Sequence, residues 1–198
     1  MGAIFQSLGR TVSAGVVLLI IFIILAGLGT GSWIRTGDHA WWGFFMRWLH
    51  VLSGVMWIGL LWYFNFVQTP SMPKIPDEQK PAIGKVIAPA ALFWFRWAAM
   101  ATIVTGLILA GMNGYLVQAL TLTKGVHAIG IGMWLGAIMW FNVWFIIWPN
   151  QKKALGIVQV SAEEKAAAAK RAGMGSRINT MLSIPMLFCM VAQQNGGL

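Results

Sequence analysis

The sequence predicts an all-α integral membrane protein, a bundle of about five transmembrane helices in which helices two and four repeat one another. Three observations predict it. Of the 198 residues, 58% are hydrophobic and 10% charged, with a mean hydropathy of +0.71, whereas soluble domains carry about 25% charged residues. Apolar runs alternate with polar stretches, and about 20 residues suffice to cross a bilayer. Residues 47–65, RWLHVLSGVMWIGLLWYFN, return as residues 124–142, KGVHAIGIGMWLGAIMWFN. The shared pattern is a cation, then His, then Met-Trp, Gly and Phe-Asn at matched spacing.

The elements follow in order. Residues 1–10 are short, with Arg10 as their charge. The first apolar run, 12–34, is too long and too thinly basic at its start for a signal peptide, so it reads as a retained helix. Gly27, Gly29 and Gly31 mark its frayed or closely packed end, and 35–40 is a turn. The second span, 42–68, is stopped by Pro70 and Pro73. A polar connection, 69–87, leads to a third span, 89–112, in which Pro89 suits the first helical position. A turn at 113–123 leads into the fourth span, about 120–148, which ends at Pro149 and Asn150. Ser161 caps a short Ala-rich helix in the polar stretch 150–176. The fifth run, 178–192, contains Pro185 and is expected to kink there. The chain is expected to form a single transmembrane helical domain, 1–198.

Charge orients the bundle. With five spans, Arg10, Lys74, Lys80, Lys85 and the cations of 150–177 share one side, and Arg35, Arg47 and Lys124 take the other. The positive-inside rule then puts the N-terminus in the cytoplasm and the C-terminus outside. The net charge of +9 does not imply nucleic acid, because the cations lie between apolar runs, where they face lipid headgroups. Cys189 is the only cysteine, which excludes an internal disulfide and a thiolate metal cluster within the chain.

The residues that could carry chemistry are His50 and His127, expected at a common depth on parallel spans. Two such imidazoles suit haem b, which wants axial imidazole and apolar walls. Gly54 and Gly130 would give a porphyrin edge clearance, and Arg47 and Lys124, one turn towards water, would meet its propionates. Trp57 and Trp134 recur beside them as core residues or electron relays. The blander reading is interhelical hydrogen bonding by the histidines, packing by the glycines and snorkelling by the cations. Met56 and Met133 with histidine would suit copper(I), but they lie well round the helix, so copper ranks below haem. His39 is placed in a loop and is a poor candidate ligand. Arg96, inside the third span, has no acid within a span to pair with, so its partner is a loop, a lipid phosphate, another subunit or an anionic cofactor or substrate, unless it snorkels to the headgroups.

Four segments carry a family resemblance: RWLHVLSGVMWIG at 47–59, WFRWAAMATIVTG at 94–106, HAIGIGMWLGAIMWFNVWFIIWPNQKK at 127–153 and SRINTMLSIPMLFCMVA at 176–192. In these the chain resembles the membrane domain of bacterial membrane-bound urate hydroxylases, the urate oxidase N-terminal family. The resemblance implies a helical unit of the inner membrane, often fused to a periplasmic cytochrome c domain, and electrons passing to a c-type cytochrome. In full-length relatives the reaction is urate to 5-hydroxyisourate. No Cys-x-x-Cys-His occurs here, so the cytochrome domain is expected to be lacking. Ala98 stands where an acid tends to follow the WFRW-like segment, and Gln194 where a histidine is usual. Three functions are therefore expected in turn. The first is a b-haem protein passing electrons to a c-type cytochrome or within a larger redox complex. The second is a urate-hydroxylase-type oxidase, and the third a cofactor-free structural subunit.

Overall fold

The computed structural model describes residues 2–197 except Ser32 and Arg35, so the charge expected at Arg35 lies outside the described residues. Two compact units are formed, one up to Phe44 and one from Phe45 onward. The first holds α1 (Gly2–Phe5) and α2 (Leu8–Thr30). α2 starts earlier than hydropathy alone suggests and ends where Gly31, at φ 69°, donates its N–H to Gly27 O. Of the glycines here only Gly27 is closely packed: a side chain on it would meet the Trp33 ring at 2.7 Å, whereas Gly29 and Gly31 face open space. Asp38 then caps the next helix, its Oδ1 accepting from Ala40 N at 2.9 Å.

That helix, α3 (His39–Trp62), begins at His39, which is therefore a first-turn residue and not part of a loop. It continues through a π-turn, Tyr63–Gln68, into α4 (Thr69–Ser71) and a 3-10 turn. α5 (Lys80–Ala82) and a second π-turn, Ile83–Ile87, run into α6 (Ala88–Met112). α7 (Leu116–Leu120) is short. α8 (His127–Phe141) passes through a third π-turn, Asn142–Ile147, into α9 (Trp148–Ala154), and α10 (Ala162–Asn195) closes the chain. There is no strand among the described residues.

Among the described residues four helices are long and apolar enough to cross a membrane: Leu8–Thr30, His39–Lys74, Lys80–Met112 and His127–Ala154. The polar connection 69–87 is largely helical and lengthens two of them. Proline shapes this region without ending it. Each π-turn stops two residues before a proline, Pro70, Pro89 or Pro149. Proline offers no N–H and crowds the carbonyl four residues back, and a widened turn relieves both. The fourth helix starts at His127 rather than near 120, because the chain turns at Leu122 (φ 55°) and Gly125 (φ 92°). The Ala-rich helix and the fifth apolar run are one helix of 34 residues, with Pro185 inside it. Its cap is the expected one, Ser161 Oγ accepting from Glu164 N.

α10 organises the second unit. It runs antiparallel to α3, as two contacts eighteen positions apart show: Asn65 Nδ2 donates to Ser176 Oγ at 2.8 Å, and Arg47 meets Gln194. It also runs antiparallel to α8, since Asn142 Nδ2 donates to Asn179 Oδ1 at 2.9 Å while Gln193 reaches Ile129 N. α3 and α8 are therefore parallel to each other. Close approach comes from small residues on one stripe of α10, Ala168, Ala172, Gly175 and Ser183, all buried. The core gathers Trp57 and Leu61 of α3, Leu92 and Phe95 of α6, Met139 and Val143 from the α8 side, and Met186 of α10. Many large apolar side chains point outward, among them Phe93, Trp94 and Val191.

Candidate functional site

α3 and α6 together position His50. Its Nδ1 lies 2.9 Å from Thr102 O and 3.2 Å from Thr105 Oγ1. The Thr105 hydroxyl proton is engaged elsewhere, donated to Ala101 O at 2.6 Å. Both atoms facing Nδ1 are therefore acceptors, and Nδ1 carries the proton. In the neutral ring this leaves the lone pair on Nε2, the arrangement by which a carbonyl orients a metal-binding imidazole. The ring fits because α6 has no side chain at Gly106, where a Cβ would meet His50 Cε1 at 2.9 Å. Sequence reading missed Thr102, Thr105 and Gly106. Their spacing of three and four puts them on one helix face, and polar residues within an apolar span were the available signal.

Two adjacent glutamines tie the two histidine-bearing segments to one turn of α10. With its amide oxygen turned towards α3, Gln194 accepts from Arg47 Nη2 at 3.2 Å and Nε at 3.3 Å. Gln193 Oε1 accepts from Ile129 N at 3.3 Å, and its Nε2 donates to Gly125 O at 2.8 Å. Those two contacts flank His127 on either side. His127 itself is the first residue of α8 and is exposed, so it sits at the helix mouth and not several residues inside a span. Lys124 is exposed in the turn before it.

The remaining expected residues fall into place unevenly. Gly54 faces Thr102 Cγ2 at 4.0 Å, an ordinary contact with α6. At Gly130 the expected clearance is taken by the protein itself: the Ala119 carbonyl and the Leu122 side chain of the α7 region occupy the space a Cβ would need. Trp57 is buried with no hydrogen bond to its Nε1, whereas Trp134 is half exposed and donates Nε1 to Leu120 O at 3.0 Å. Arg96 finds its partner in an aromatic face, with Cζ 3.3 Å from the centre of the Trp148 ring. Its Nη1 is buried without a hydrogen bond.

No group of three His, Cys, Asp or Glu able to hold a metal occurs among the described residues. A haem asks less of the protein: an imidazole lone pair, apolar walls and cations for its propionates. The α3 side offers the first through His50 and the last through Arg47. On the α8 side, the filled space at Gly130 leaves no room for a ring edge at that residue.

The family model described as urate oxidase N-terminal matches residues 121–196, which take in α8, α9 and α10. It is the family that the sequence motifs resemble. No curated protein and no solved structure matches the chain.

Proposed function

We propose that this chain is a membrane-embedded redox subunit that binds haem b, which His50 would hold together with His127. The hydrogen bond from His50 Nδ1 to Thr102 O carries the reading, because it leaves the lone pair on Nε2 of a part-buried ring. Haem bound there would supply one-electron transfer. The residues of this chain do the rest. Thr102 and Thr105 fix the imidazole tautomer, Gly106 makes room for the ring, and Arg47 and Lys124 supply positive charge at the same end. Gln194 holds the Arg47 guanidinium in position. Copper is the lesser candidate metal for this site.

The same reading takes the apolar run 178–192 of α10 as a fifth membrane crossing and helices two and four as copies of one unit. The antiparallel register of α10 against both α3 and α8 supports this. The N-terminus then faces the cytoplasm of a bacterial inner membrane, and the partner is a c-type cytochrome or another membrane redox subunit. An absorption spectrum tests the proposal. Protein produced with haem supply is expected to show a Soret band that His50→Ala abolishes and His127→Ala weakens or shifts. Colourless protein overturns it.

The match over residues 121–196 favours a second reading, a urate-hydroxylase-type oxidase that hands electrons to an external acceptor. Urate consumption with added cytochrome c separates the two: coloured protein that leaves urate untouched is a carrier and not the oxidase.

A further inference from the structure

We propose that the end of the second unit away from His50 holds a separate site, which binds a small aromatic monoanion that also carries a hydrogen-bond donor. Asn65 lies fifteen residues beyond His50 along one helix, or about 22 Å at 1.5 Å per residue. The inference therefore does not rest on haem binding. A cavity of about 170 Å³ opens there. All three π-turns contribute to its wall, through Gln68, Gly84 and Ile147. A π-turn widens the helix and displaces its side chains from the regular spiral, and such turns concentrate at functional sites. Three converging on one small cavity is a stronger signal than any one of them.

The lining specifies the chemistry. Phe64 and Phe95 meet edge to face with centroids 5.8 Å apart and form an aromatic wall. Among the described residues Arg177 is the one charged residue that lines the cavity; it lies at the exposed rim, and its guanidinium makes no hydrogen bond or ion pair with them. No carboxylate lines the cavity. One cation without an acid selects one negative charge. Gln68 Oε1 is buried with no hydrogen bond, and an orphaned buried acceptor calls for a donor. Asn65 adds a second acceptor: its Nδ2 is spent on Leu61 O and Ser176 Oγ, at 2.9 and 2.8 Å, so its Oδ1 is the atom left for a ligand. A single six-membered ring bearing an acid group at one end and a hydroxyl or N–H at the other satisfies all of these demands.

The test is equilibrium dialysis of the detergent-purified full chain against 4-hydroxybenzoate. Saturable binding is expected, weakened at least about tenfold by Arg177→Gln and by Gln68→Leu, since each removes a hydrogen bond to a charged or buried group. The uncharged 4-hydroxybenzamide is expected to bind the unaltered protein as weakly as the acid binds Arg177→Gln. His50→Ala is expected to bind the acid like the unaltered protein, which separates this site from the haem reading. Absence of saturable binding, or affinity unchanged in both Arg177→Gln and Gln68→Leu, overturns the proposal.

Discussion

At the scale of single residues, the second unit is decided by polar groups that an apolar environment makes costly to misplace. His50 is held because a helix carbonyl and a hydroxyl both face Nδ1, and because Gly106 leaves the ring its space. Gly106→Ala puts a methyl 2.9 Å from His50 Cε1. The ring must then swing away from Thr102, at a cost of about 1–3 kcal/mol for overpacking. A lower unfolding temperature in detergent is expected, with a shifted or lost Soret band if haem is bound. An unchanged spectrum and stability would mean that the ring has another resting place. Arg96 illustrates the same economy. The sequence offered no acid inside a span, and the guanidinium rests instead on the π face of Trp148, which Lys152 also approaches at 5.6 Å.

At the scale of elements, α10 acts as the strut to which the two similar segments are fastened. Both end in a π-turn region, and each sends an asparagine to α10, Asn65 to Ser176 and Asn142 to Asn179. The second contact is the deeper one. Asn179 is fully buried, accepts from Asn142 and donates from Nδ2 to Met139 O at 2.9 Å. Asn179→Leu strands the amide of Asn142, so a loss of about 1–3 kcal/mol is expected. Asn65→Leu is expected to cost less, because Asn65 and Ser176 are only half-buried. Thermal unfolding of the two variants in one detergent compares them, and equal losses would contradict the ranking.

At the scale of the whole molecule, the question is how many times the chain crosses the bilayer. Four helices among the described residues meet the length and hydropathy of a span, and α10 is the fifth candidate because its second half keeps register with α3 and α8. Five crossings put residues 7 and 197 on opposite sides. On a Cys189→Ser background, Ser7→Cys and Gly197→Cys are expected to react with a membrane-impermeant thiol reagent from opposite faces of oriented vesicles. Labelling from the same face would leave α10 on the surface and reduce the count to four.

The sequence by itself determined the all-helical class, the main apolar helices, the cap at Ser161 and the family resemblance that the match over residues 121–196 shares, because composition, periodicity and motif are local properties of a chain. It pointed to His50 and Arg47 for the same reason: a histidine and a cation stand out in an apolar run. The tertiary structure alone decided what those residues touch. That Thr102 O orients His50, that Trp148 receives Arg96, and that Ala119 rather than a cofactor edge fills the space at Gly130 depend on which helix faces meet. The π-turns belong to the same class. Proline was visible in the sequence, but whether it ends a helix or merely widens it depends on packing, which here carries the helices past Pro70 and Pro149 and joins the approach to Pro89 to α6.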